Sequence, residues 1–312
     1  MNWTKHGLIL EPRPEIGWLK TCAGPTFALH ANAHYFHLYI AGRDDQNRSR
    51  IGRAVLDIDA KKVVSVDDKP LIDLGELGTF DFNGTSYPWL VQTGEELRLY
   101  YTGWTIGYHV AFINDLGLAI QKNNENEFHK VSRAPLISRT HEEPFGTGSV
   151  CVLKDDSNWK MWYTTFESWG DQQKADKHYY HIRYAESEDG LIWNRPNKIA
   201  VNFDSKNGEY VTGKPSVIKY KNRYLMWFSF RGESYRLGYA ISHNGIDWKR
   251  MDNQVGIDVS STGFDSEMIC YGHIFIYQDL LYMVYNGNGY GKSGLGLASL
   301  PLKELDNFLE TV

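Results

Sequence analysis

The sequence predicts an all-β protein, a single five-bladed β-propeller over residues 1–312, on three observations. A short aromatic-aliphatic strand recurs five times. Each copy is followed by a second strand that ends in Ala, at intervals of 65, 66, 55 and 58 residues. No sustained 3.6-residue periodicity competes with this pattern. A unit of this length repeated in series is the signature of radial or stacked architectures, and four antiparallel strands per unit is the propeller form of it.

The elements follow in order. The apolar run 7–10 precedes the first unit and is assigned as the outer strand missing from the last, which closes the ring and removes an exposed edge. Blade one, residues 20–66, holds runs 25–29, 37–40 and 51–54. Blade two, 81–131, holds 88–91, 98–101 and 116–119, with a weak fourth strand within 121–128. Blade three, 143–199, holds 149–153, Lys160-Met161-Trp162-Tyr163 and Ile182-Arg183-Tyr184-Ala185. Its fourth strand is reached through Ser187-Glu188-Asp189-Gly190-Leu191-Ile192-Trp193. Blade four, 209–258, repeats this with Leu225-Met226-Trp227-Phe228 and Ser242-His243-Asn244-Gly245-Ile246-Asp247-Trp248. Asp-Gly and Asn-Gly favour two-residue hairpins because both positions tolerate positive φ. Trp193 and Trp248 are expected to pack between neighbouring blades. Blade five, 265–300, stops after its third strand, and 302–312 reads as a short helix or a strand.

Composition removes several functions. The net charge is −5 and no basic run exists to neutralise a phosphate backbone, so nucleic acid is not an expected partner. No stretch approaches the ~20 apolar residues of a membrane span. The first residues lack a secretory pattern, and Cys22, Cys151 and Cys270 are too few and too far apart for a disulfide framework or a zinc site. A cytoplasmic protein with buried free thiols is expected. No phosphate-loop or dinucleotide fingerprint occurs in a supporting context, and His109, His141, His178 and His181 lack metal-ligand spacing. No cofactor and no metal are expected, with an axial structural ion left open. Oligomeric state is not readable.

The Ser-x-Asp-Gly-x-x-Trp hairpin, the Met-Trp-Tyr strand and the Tyr-Ala strand ending resemble the five-bladed propeller glycosidases, glycoside hydrolase families 32, 43, 68, 117 and 130, over roughly residues 20 to 300. The resemblance implies a carbohydrate site at one end of a central channel, with carboxylates where the innermost strands begin. Segments 263–268 and 285–291 resemble a branch associated with surface-polysaccharide gene clusters.

Cleaving a sugar bond typically needs two carboxylates, one protonated and one ionised. Residues preceding each first strand are expected to face a shared axial funnel. Four units carry acids there: Asp81, Glu143, Glu209, and Asp265 with Glu267. Glu143 matches the family's general acid, and Asp81 its positioning acid. Unit one offers only Thr21-Cys22-Ala23-Gly24-Pro25, without the expected base, so Asp44 or Glu267 is a candidate for that role. Arg43, Arg139 and Arg231 fall near the same end and suit a phosphate or carboxylate, which guanidinium groups bind in bidentate fashion. Trp104, Trp169, Tyr271 and Asn288 complete the expected substrate site, and Tyr108 lies near them. The expected function is cleavage or transfer of a glycosidic bond by a hydrolase or phosphorylase. The alternatives are a nucleotide-sugar transferase of surface-glycan assembly and a non-catalytic carbohydrate-binding propeller.

Overall fold

The computed structural model describes residues 1–312 apart from 95, 124, 156–157 and 171–176. It is all-β, with antiparallel strand groups following one another along the chain. Strand β1 (Thr4–Leu10) comes first. The first group is β2 (Cys22–Asn32), β3 (Tyr35–Arg43), β4 (Ser49–Asp57) and β5 (Lys62–Val66). The second is β6 (Gly84–Thr93), β7 (Glu96–Thr105), β8 (Ile113–Lys122) and the short β9 (His129–Lys130). The third is β10 (Thr147–Asp155), β11 (Asn158–Trp169), β12 (His178–Ser187) and β13 (Asn194–Val201). The fourth is β14 (Val211–Tyr220), β15 (Arg223–Arg231), β16 (Tyr235–Ser242) and β17 (Lys249–Arg250). The fifth is β18 (Cys270–Tyr277), β19 (Leu280–Asn286) and β20 (Leu295–Pro301), and β1 pairs antiparallel with β20. The C-terminal segment forms a helix, Leu302–Leu309. No helix among the described residues is long and apolar enough to cross a membrane.

The first strands stand side by side in the order β2, β6, β10, β14, β18, and β18 lies beside β2. Residues from all of them line a cavity of about 460 Å³ at one end, around Phe27, Trp89 and His273. Hydrophobic cores fill the spaces between groups. Trp193 meets Tyr100 of the preceding group at 6.3 Å, and Trp248 meets Trp162 at 5.8 Å, both edge-on. The two hairpin glycines lie under the same contacts: Tyr100 Oη donates to the Gly190 carbonyl and Trp162 Nε1 to that of Gly245. The three cysteines are free and buried.

Each first strand starts earlier than its apolar run and carries a β-bulge near its beginning. Residues 24–25, 87–88, 148–149, 214–215 and 271–272 each oppose one residue of the second strand. A bulge bends the strand and re-aims a side chain. Tyr87, Lys214 and Tyr271, at the first bulge position, have φ of 50°, 49° and 57°. Left-handed backbone at non-glycine residues costs on the order of 1–3 kcal/mol and gathers at functional sites.

Candidate functional site

A cavity of about 860 Å³ opens at the end where the first strands begin. The bulges line it with Gly24, Tyr87, Ser149, Lys214 and Tyr271, and the ends of the second strands add Arg43, Trp104, Phe166 and Arg231. Small hydroxyls join neighbouring groups at this level. Ser149 accepts from the Lys214 amide and Ser229 from the Tyr271 amide, each at 2.8 Å, and the Ser49 and Ser86 hydroxyls share a 2.8 Å hydrogen bond.

The structure corrects the placement of the acids. None of Asp44, Asp81, Glu143, Glu209, Asp265 and Glu267 lines the cavity. Because the first strands begin upstream of their apolar runs, residues a few positions earlier sit inside the strand group, not at the axis. Asp81 accepts from Tyr101 Oη at 3.0 Å and pairs with Lys130 at 2.6 Å. Glu143 accepts from Tyr163 Oη at 2.7 Å and pairs with Arg195 at 3.1 Å and Arg183 at 3.6 Å. Asp265 accepts from Tyr285 Oη at 3.0 Å and pairs with Lys5 at 2.8 Å. In all three the tyrosine lies 20 residues after the acid, on the second strand. The cation comes from the outermost strand, which for Asp265 is β1. All three acids are buried. Burial alone would raise the Asp265 carboxyl, but hydrogen bonds from Lys5, Ser260 and Tyr285 outweigh it and hold the group below the ordinary carboxylate value. Glu209 replaces the tyrosine contact with a bidentate pair to Arg250 at 2.9 and 3.1 Å, and Arg250 lies over the Phe228 ring.

Register explains the recurring Gly-x-Ala of the third strands. Tyr101 pairs with Gly117 and Tyr285 with Gly296, where a Cβ would come within 2.5 and 2.6 Å of the tyrosine ring. Two residues on, Ala119, Ala240 and Ala298 pair with Lys130, Arg250 and Lys5. The first group makes the same lock from apolar residues. Ile40 pairs with Gly52, Val66 pairs with Ala54, and Leu19 lies in the same hydrophobic cluster. Asp44 is held separately by Arg48 and Arg50, each at 2.9 Å, which draws its carboxyl below the ordinary value against the opposing effect of burial.

The remaining candidates divide. Arg43, Trp104, Tyr271 and Arg231 line the cavity. Arg139 and Glu267 are exposed and lie outside it. Asn288 accepts from the amides of Glu267 and Met268 and so braces that loop. Trp169 stands behind the wall, stacked on Phe166 at 5.5 Å. Tyr108 is 96% exposed. Among the histidines, His178 lines the cavity, whereas His181 is buried, with its pKa lowered to about 4 by burial and then by Arg183.

What the sequence reading missed is Lys214, together with Arg48 and Lys292 on the same cavity. Lys214 is 2% exposed, its ammonium has no hydrogen-bond partner among the described residues, and it lies over the Trp89 ring at 5.6 Å. Burial lowers its pKa to about 8. The titratable groups beside it bring no compensating charge, since burial drives the Cys151 thiol up and the His273 imidazole well down. Among the described residues Arg231 Nε is also buried without a hydrogen-bond partner, its guanidinium lying over the Tyr210 and Tyr235 rings. Among the described lining residues there is no Asp or Glu, while Arg43, Lys214, Arg231 and Lys292 form no ion pair. A lysine directly before the first-strand proline was the available signal: aligning bulge positions instead of upstream acids finds it. No group of three or more potential metal ligands occurs among the described residues.

No protein-family profile matches the chain. It is 33% identical over 301 residues to the uncharacterized protein Rv1502 of Mycobacterium tuberculosis strain H37Rv, covering 96% of this chain and 99% of that one. The uncharacterized protein MT1551 of strain CDC 1551 matches to the same extent. Among solved structures, a glycoside hydrolase superposes with a TM-score of 0.74 at 16% identity, over 95% of this chain and 90% of that one. The β-1,2-mannobiose phosphorylase of Listeria innocua superposes with a TM-score of 0.70 at 14% identity, over 100% of both chains. The likeness lies in the fold: the chain has an all-β arrangement similar to that of these solved hydrolase and phosphorylase structures.

Proposed function

We propose that this chain, which belongs to the family of the uncharacterized Mycobacterium tuberculosis protein Rv1502, is a carbohydrate-active protein whose cavity binds a negatively charged sugar. One observation carries the reading: the described lining residues hold Arg43, Arg48, Lys214, Arg231 and Lys292 and no carboxylate. Hydrolysis of an alkyl glycoside calls for a pair of carboxylates flanking the bond. Here Asp81, Glu143, Glu209 and Asp265 are spent on tyrosines or cations inside the strand groups, Asp44 is held by Arg48 and Arg50, and Glu267 is exposed outside the cavity. A buried cation without a partner is costly unless something charged answers it. Binding an anion answers it. Glycosyl transfer from a donor with an anionic leaving group fits such a cavity better than hydrolysis does.

The architecture in this reading is one five-bladed propeller closed by β1. The side-by-side order of the first strands supports it, and so does Lys5. Lys5 of β1 pairs with Ala298 of β20 as Lys130 of β9 pairs with Ala119 of β8, so β1 behaves as the fifth group's outer strand. Asp81, Glu143, Glu209 and Asp265 are in this reading struts, and Arg43, Lys214 and Arg231 the ligand-facing set.

A thermal-shift panel tests this with neutral disaccharides, hexuronic acids and hexose phosphates. Stabilisation by charged sugars and not by their neutral counterparts is the expected result. Stabilisation by neutral disaccharides alone would overturn it.

A further inference from the structure

Resting on the reading of the cavity as an anionic-sugar site, we infer that its ligand is a sugar nucleotide, a sugar joined to a nucleoside through a diphosphate. The unspent donors are the first ground. Lys214 and Arg231 belong to facing strands, β14 and β15, and Val211 pairs with Arg231. The two cations therefore stand three residues apart along one ladder, roughly 10 Å between backbone anchors, and both side chains reach the same cavity. The Lys214 ammonium and Arg231 Nε have no hydrogen-bond partner among the described residues. Two long cations so placed match two linked phosphoryl groups better than one carboxylate.

The aromatic wall is the second ground. Trp104, Phe112, Phe166 and His178, from the second and third groups, line the same cavity. Trp169 extends the aromatic surface behind Phe166, its ring within 5° of parallel. A planar nucleobase stacks on such a surface whatever its identity, because every base has a π-face.

The third ground is the leaving group. An alkoxide leaves a sugar only with a proton from a general acid, and no carboxylic acid stands among the described lining residues. A nucleoside diphosphate leaves as a stable anion and calls for cations instead. In transfer, the bond from the anomeric carbon to the diphosphate oxygen breaks and that oxygen keeps the electron pair. A glycan hydroxyl oxygen bonds the carbon, and its proton ends on the released diphosphate.

The test is isothermal titration of the full chain with uridine, guanosine, adenosine and thymidine diphosphate hexoses, beside hexose 1-phosphate, inorganic phosphate and a hexuronic acid. At least one sugar nucleotide binds about 30-fold or more tighter than the hexose 1-phosphate, and its nucleoside diphosphate alone keeps most of that affinity. Lys214→Met and Arg231→Lys each weaken it by about tenfold or more, with the fold checked by circular dichroism, while Lys198→Met at the surface leaves it unchanged. If hexose 1-phosphate or hexuronic acid binds as tightly as every sugar nucleotide, the diphosphate inference falls and the anionic-sugar reading stands. If no charged compound binds, both fall.

Discussion

At the entrances to its strand groups this protein carries acids that are fully partnered. A few residues further along, on the first strand of the fourth group, it carries a cation that is not. Glu143, at the entrance to the third group, has a tyrosine and two arginines; Lys214, on the first strand of the fourth, has only the face of Trp89. Charge that is answered from within holds the fold together. Charge left unanswered at a cavity is, in the proposed function, what a ligand answers. The chemistry of the residue type alone does not separate the two; the completeness of its partners does.

The contrast can be broken most sharply at Glu143. Glu143→Ala leaves the partly buried Arg183 and Arg195 without their anion, and loss of one member of a buried pair costs at most about 3–5 kcal/mol. Urea denaturation should show that loss. A variant with undiminished stability would mean that Glu143 is free to do chemistry after all.

Lys214 should respond in the opposite sense. Its pKa falls from 10.5 in the unfolded chain to about 8 in the fold. Between those values the unfolded chain holds a proton that the folded one has released, so stability rises with pH across that window. Below pH 8 the charged, buried ammonium destabilises the fold by roughly 3–4 kcal/mol at most, since each tenfold loss of proton affinity is worth about 1.4 kcal/mol. Lys214→Met should therefore raise the stability of the ligand-free protein at pH 7 and flatten the rise between pH 8 and 10.5. A Met variant less stable than the wild type would mean that the lysine is answered from within.

The tyrosines give a graded test. Tyr101→Phe, Tyr163→Phe and Tyr285→Phe each remove a hydrogen bond to a charged acid and should cost about 2 kcal/mol by thermal denaturation. The fourth group already has Phe228 at this position, with Arg250 over its ring, so Phe228→Tyr should bring no comparable gain. The smallest effect lies on the acid limb. Asp265 is held below its ordinary value, so its contribution is present above the unfolded pKa and lost as pH falls through the folded one. Lys5→Met should bring that loss to higher pH, by no more than about 1 kcal/mol for a partly exposed cation. An unchanged acid limb would remove Lys5 from the lock.

The repeat was legible because period, Ala endings and Asn-Gly or Asp-Gly hairpins are local signals. The acid alignment was legible too, and its phase is real: Asp81, Glu143 and Asp265 do recur in one structural position. Its meaning was not, because the partners lie on other strands. Lys130, Arg195 and Lys5 are 49, 52 and 260 residues from the acids they meet. Sequence shows which carboxylates are in step, and only the ladder shows that a tyrosine and an outer-strand cation close on each. The acid missing from unit one has the same explanation in reverse. Leu19, Ile40 and Val66 form an apolar version of the lock, so no strut is lacking there. Lys214 escaped notice because a bulge, invisible in a run of apolar residues, turns it into the cavity.

The most direct test is the affinity of hexose 1-phosphate for wild type and Lys214→Met, titrated from about pH 7 to about pH 9.5, above the second ionisation of the phosphate near pH 6. If Lys214 receives the anion, wild-type affinity falls as pH rises through about 8, and the variant binds weakly with no such fall. Equal affinity and the same pH profile in both proteins would contradict the account.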